Sequence, residues 1–216
     1  MTDSTNAREL FRAAYENRYT WDDHFPGYSA DVRITQGEET HSGRICIKPD
    51  LSVEVSGFDN EDVQQDVYTQ LRDIVTHRKH SSFEKAHGQN QFSFGEKDDT
   101  GAIEIHVQGD AMGSNYQVRD REISQVSRVM GRMAFTIDTH ETLDTGNGYV
   151  ATRYDAIFRN PQTGEVVREM EFEDNFDKIG DDYIMTRQVV RSKQQGTETT
   201  TAYDFSNVKL LDPVAV

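Results

Sequence analysis

The chain has 216 residues, and its 38 Asp and Glu outweigh 23 Lys and Arg to give a net charge of -15. A field of that sign repels phosphate backbones and anionic lipid surfaces, which argues against nucleic acid and against unassisted adsorption to anionic membranes. The hydrophobic share is only 35%, yet 11 Phe, 9 Tyr and 1 Trp supply burial that a disordered chain lacks, so one folded domain over residues 1–216 is expected.

The start, Met1 to Glu9, has neither the basic head nor the apolar stretch of a secretory signal, and no segment reaches transmembrane length. The single cysteine, Cys46, fits a reducing compartment, and the cytoplasm is the expected location. Ala7, Leu10, Phe11, Ala14 and Tyr15 recur at the spacing of one helical face, with Asn6 and Glu9 in the places of a cap and its reciprocal acid. The tract Trp21 to Gly27 ends this helix, since Pro26 fixes a backbone angle and Gly27 permits a turn. Tyr28, Ala30, Val32 and Ile34 then alternate with polar residues, and Gly37-Glu38-Glu39 turns the chain into a hairpin through Ile45 and Ile47. Leu51, Val53 and Val55 mark a third strand. A second helix begins after Asp59-Asn60 and carries Val63, Val67, Leu71, Ile74 and Val75 on one side.

His77 to Asn90 shows no period and reads as a loop. Beyond it come strand patterns at Phe92 with Phe94, at Ile103 to Val107, at Tyr116 with Val118, and at Met133 to Ile137. Four further patterns follow, through Tyr154, Met170, Met185 and Tyr203, with Asn160 to Gly164 and Ile179 to Asp182 as turns. The whole specifies an α+β, mainly β fold: a strongly curved antiparallel sheet, an open or incomplete β-barrel, with two helices on its concave face.

No catalytic motif stands out. His77, His80 and His87 lack the spacing of a closed zinc site, and Arg78, Lys79 and Lys85 would repel a cation, so a solvated basic patch is the better reading. Ser56-Gly57 and Gly113-Ser114 lack the second glycine of a nucleophile elbow. Cys46 alternates with Ile45 and Ile47 and reads as an incidental thiol. The glycines of Gly109 to Gly113 and of Asp144 to Gly148 read as hairpin turns and not as phosphate cradles, because no helix follows either.

The candidate ligand wall is apolar: Phe92, Phe94, Phe135, Tyr154, Phe158, Met170, Phe172 and Met185. Arg168 and Arg187, by alternation, share the face of Met170, Phe172 and Met185. Two readings apply to them: long side chains that reach water at a sheet margin, or clamps for the carboxylate or phosphate head of a bound molecule.

The segments Ala7-Arg8-Glu9-Leu10-Phe11, Phe25-Pro26-Gly27-Tyr28 and Tyr203-Asp204-Phe205-Ser206-Asn207-Val208 resemble a family of proteins of unknown function from cyanobacteria and plastids, across nearly the whole chain. In element order, and loosely at Arg44 to Asp50 and the closing strand, the chain is also similar to bacterial lipoprotein carriers, whose unclosed barrels hold acyl chains under helices. That likeness implies an apolar cavity without naming its contents. The expected function is a noncatalytic binding or carrier protein for an apolar or amphiphilic lipid or pigment, with no catalytic residue, metal or cofactor. The alternative is an interaction or assembly factor with a filled core, whose acidic face at Glu165 to Asp174 meets a basic protein partner.

Overall fold

The computed structural model describes residues 2–109 and 114–212. In chain order the elements are α1 (Thr2–Glu16), β1 (Tyr28–Gln36), β2 (Glu39–Ile47), β3 (Val53–Ser56), α2 (Glu61–Arg78), α3 (Phe83–His87) and β4 (Gln91–Lys97). The meander follows as β5 (Ile103–Gln108), β6 (Ser114–Arg119), β7 (Glu122–Met130), β8 (Met133–Asp144) and β9 (Tyr149–Arg159). The long strands β10 (Val166–Ile179), β11 (Asp182–Gln194) and β12 (Thr197–Leu210) close the series.

The twelve strands form one antiparallel sheet in the order β3-β2-β1-β12-β11-β10-β9-β8-β7-β6-β5-β4. The two end strands, β3 and β4, do not pair with each other, so the sheet is open and not a closed barrel. The chain divides into two compact units. The first holds residues 1–19, 81–172 and 192–198; the second holds residues 20–80, 173–191 and 199–216. Strands β10, β11 and β12 contribute residues to both.

In the first unit α1 buries Ala7, Phe11, Ala14 and Tyr15 against Phe92, Ile105, Val107, Tyr116, Val118 and Ile123. Phe11 is the hub: its ring centroid lies 4.6 Å from Tyr116, 5.5 Å from Phe92 and 6.2 Å from Phe83. The helix starts at Thr2, which puts Asn6 inside it and not at its cap.

The segment read as a loop contains α3 instead. The Ser82 hydroxyl accepts from the Lys85 amide, and Phe83 and His87 turn inward. Five residues are too few to show a helical period in sequence. Strand β7 shows no clear pattern in the sequence, because Ser124, Gln125, Ser127 and Arg128 dilute its alternation.

The second unit has its own core, with Trp21 stacked on Phe25 at 4.1 Å and 7° and with Val67, Leu71, Ile74 and Val75 of α2 buried. Asn60 caps α2 as the sequence indicates, its side-chain oxygen accepting from the amides of Asp62 and Val63. Gly27 has φ +80, and a Cβ there would collide with the Ile47 carbonyl oxygen, so the Phe25-Pro26-Gly27 segment has a steric reason for its glycine.

Candidate functional site

Strand register in the first unit assembles one cross-strand row. Phe92 pairs with Val107, Val107 with Ser114, Ser114 with Arg128, Arg128 with Phe135, and Phe135 with Phe158. Directly opposed residues point to one face of an antiparallel sheet, so these six side chains share a face that spans β4 to β9. Phe92, Val107 and Ser114 are buried, whereas Arg128, Phe135 and Phe158 are half-buried. The row changes character at Arg128.

Beyond that point the face stays apolar. The Phe135 and Phe158 rings lie 6.2 Å apart at 45°. Tyr154, two rows from Phe158 on the same strand, stacks on Phe172 at 4.6 Å and 9°. That stack fixes the face of β10, so Met170 and Arg168, two and four residues earlier, share it by alternation. Tyr154 and Met170 are half-buried and Phe172 is buried.

The two arginines that flank this surface are held alike. Arg128 Nε donates to Ser114 Oγ at 2.7 Å and its Nη2 donates to Tyr116 Oη at 3.2 Å. Arg168 Nε donates to Ser192 Oγ at 3.0 Å. Among the described residues neither pairs with a carboxylate, in a chain that carries 38 of them. A half-buried guanidinium with only hydroxyl partners keeps donors and a full charge unmatched, and an anionic group seated there would satisfy both.

Positive charge also gathers inward of the row. His87 is buried beside Asn90, with Asn90 Nδ2 and His87 Nδ1 3.0 Å apart. Its pKa is pushed down to about 4, first by burial and then by the nearby charges of Arg18, Arg128 and Arg8. The imidazole is therefore neutral at pH 7 and adds no charge of its own.

Of the residues nominated from sequence, the first unit brings Phe135, Tyr154, Phe158, Arg168, Met170 and Phe172 together on this face. Phe92 lies on the same face but is sealed beneath α1 and α3, with Phe83 5.8 Å away. Phe94 is 36% exposed on the edge strand β4.

Met185 and Arg187 belong to the second unit. There Met185 is buried, while Arg187 is exposed and its Nη1 sits 3.3 Å from Asp204 Oδ1. Arg187 thus has a carboxylate partner, whereas Arg168 donates to the Ser192 hydroxyl. Strand β11 buries Ile184 and Met185 in succession, so burial does not alternate there; Gln188, next to Arg187, is buried and donates to Asp174 at 2.9 Å.

Arg128 was not nominated from sequence, because β7 itself was not. The signal that reaches it is the acid-free run from Gln125 to Ile137. Of the histidines of the basic segment, His87 is buried in the first unit, and His80 Nδ1 lies 3.2 Å from Thr20 Oγ1 in the second. Cys46 alternates with buried Ile45 and Ile47, and burial and Glu54 raise its pKa, as befits an unreactive thiol. Residues 110–113 of the Gly109 to Gly113 turn lie outside the described residues.

A separate cavity of about 200 Å³ in the first unit is polar, lined by Arg119, Asp120, Glu122 and His140 among others. Beside it His140 Nε2 lies 2.7 Å from Asp155 Oδ2. Ser124, also on its wall, donates its hydroxyl to the Gln117 carbonyl. The cavity's size and polarity suit water and not an acyl chain.

Comparison with known proteins sets this geometry in context. No functionally curated protein matches the chain. Among solved structures it is similar to a DUF1329 family protein from Desulfovibrio piger, with 10% identity, TM-score 0.31, and coverage of 100% of this chain and 96% of that one. It is also similar to a LolA superfamily protein from Nitrosomonas europaea, with 12% identity, TM-score 0.33, and coverage of 95% and 94%. Likeness at such TM-scores carries no functional argument. The family match is of another order: it spans residues 2–211, and the protein belongs to the family described as Protein of unknown function (DUF3386).

Proposed function

We propose that the β8 to β10 face of the first unit binds an anionic amphiphile, a lipid or a pigment, without chemical change. Phe135, Tyr154, Phe158 and Met170 meet the apolar part, and Arg128 and Arg168, at opposite margins, each offer a seat for a charged head. The observation that carries this reading is the pair of half-buried arginines, each bonded only to hydroxyls among the described residues, on either side of a half-buried aromatic surface. Each 100 Å² of apolar surface that a ligand withdraws from water contributes about 2.5 kcal/mol, so partial burial of four such side chains leaves room for useful affinity. A lipid or pigment suits the cyanobacterial and plastid setting that the sequence segments suggest, and a carrier of such cargo acts in a soluble compartment.

Organic extraction and native mass spectrometry of the purified protein test the proposal. A copurifying anionic lipid or pigment, lost in Arg128→Ala/Arg168→Ala, is the expected result. An empty protein that also fails to bind oleate overturns it.

A second reading, an interaction factor whose acidic strand meets a basic partner, has support in the exposed carboxylates Glu165 and Glu169. Its hold is weaker at Glu173, which is already engaged by Arg191 at 2.6 Å.

A further inference from the structure

We infer that the end of the first unit formed by the β7–β8 turn and the β9–β10 turn docks on an anionic membrane surface. The residues concerned are not those of the amphiphile face, and the inference stands without it.

The β7–β8 connection is a two-residue hairpin: Met130 pairs with Met133, leaving Gly131, at φ +59, and Arg132 at the apex. Val129 is 49% exposed and Met130 48% exposed. Register joins this tip to the next hairpin, because Val129 pairs with Ala134 and Ala134 with Arg159. Arg159 leads directly into the turn closed by the Asn160 amide donating to the Glu165 carbonyl at 2.9 Å, after which Val166 is 43% exposed. Three of the four large hydrophobic residues described as exposed therefore lie at one end of one unit, the fourth being Phe94. Burying such side chains in water-excluding surroundings is favourable, and a cluster of them marks a contact surface.

Charge selects the partner. Arg132 and Arg159 have no carboxylate partner among the described residues, and the stretches Gln125 to Ile137 and Ala156 to Gly164 contain no acid. Glu165 is the one carboxylate in the two turns. Beyond Glu165, the next acids along the strands from the tip are Asp138 on β8, Asp155 on β9 and Glu169 on β10, the last about 10 Å from Val166. At a strand rise of about 3.3 Å, Asp138 stands about 17 Å from Met133 and Asp155 about 13 Å from Arg159.

The distances to Asp138 and Asp155 exceed a Debye length of about 10 Å at 0.1 M salt, which leaves Glu165 and Glu169 as the acids near the tip. A surface that the tip touches therefore meets Arg132, Arg159 and apolar side chains, with Glu165 and Glu169 at one margin, while most of the net charge of -15 is screened. The expectation drawn from net charge alone, that anionic membranes are avoided, fails to weigh this local distribution. Apolar residues that enter the headgroup layer beside arginines match an anionic bilayer.

Flotation with vesicles of mixed phosphatidylglycerol and phosphatidylcholine, and with phosphatidylcholine alone, tests the inference on the full-length protein. The wild type should float with the anionic vesicles at low ionic strength, lose binding as salt rises, and ignore phosphatidylcholine. Arg132→Gln and Arg159→Gln should each weaken binding about fivefold. Met130→Ser should weaken it with the salt dependence unchanged. All three variants should keep the wild-type circular dichroism. No flotation of the wild type, or equal flotation of folded tip variants, overturns the inference. So does a dimer in light scattering that Met130→Ser abolishes, which would assign the tip to a second copy of the chain.

Discussion

Phe92 and Phe158 stand on the same sheet face of one unit, at the two ends of a single cross-strand row about 24 Å long. The first is sealed beneath α1 and α3; the second is half-buried. The strands beneath both carry the same kind of residue, so the difference does not lie in their hydrophobicity. It lies in the reach of α1, whose buried face packs on β4, β6 and β7. One half of the row is spent on folding and the other is left available to a ligand, and Arg128 stands where they meet.

The comparison breaks most visibly under substitution at its sealed end. Phe11→Ala removes the ring that touches Tyr116, Phe92 and Phe83, and should cost about 3–5 kcal/mol in urea unfolding. Phe158→Ala should cost about 1 kcal/mol in the ligand-free protein, because its ring is already partly hydrated. Equal losses at the two positions would mean that the row is uniformly core.

His87 sharpens the same contrast through pH. Its folded pKa of about 4 lies below the ordinary 6.5, so the unfolded chain binds the extra proton between those values. The associated stability is fully present above about 6.5 and is lost as pH falls toward 4. Unfolding midpoints measured at pH 7 and pH 5 should fall further for the wild type than for His87→Gln. The same fall in both would place the titration elsewhere.

The smallest expected effect on stability belongs to Arg168→Ala, near zero in unfolding. The same substitution should weaken binding of an anionic amphiphile about tenfold while leaving an uncharged analogue of equal chain length unaffected, as read by calorimetric titration. A large loss of stability instead would make the side chain structural.

Much of this was legible from spacing. The face of α2, its Asn60 cap, the β1–β2 hairpin and the strands through Phe158 and Phe172 follow from period and turn residues, because each element is long and one side of it is buried. What escaped did so for identifiable reasons. Helix α3 is a single turn organised by Ser82 and by the cluster around Phe11, a tertiary cause that no local window contains.

Strand β7 hides behind Ser124, Gln125, Ser127 and Arg128, polar residues that the sheet tolerates because neighbouring strands supply partners: Gln125 donates to Asp138 and the Ser127 hydroxyl meets that of Thr136. Missing β7 meant missing Arg128, half of the charged pair. The Asp204 partner of Arg187 lies on another strand, 17 residues away, and no local window supplies it. Six of the ten nominated residues nevertheless converge, since Phe135, Phe158, Tyr154 and Phe172 are tied by direct cross-strand contact.

The central claim is that the half-buried end of the row is a binding surface. Titrating the protein with oleate while following side-chain methyl and aromatic NMR signals tests it most directly. The account predicts saturable shifts at Phe135, Tyr154, Phe158 and Met170, with Phe11 and Phe92 unmoved. Shifts centred on Phe11 and its neighbours, or no saturable shift at all, would contradict it.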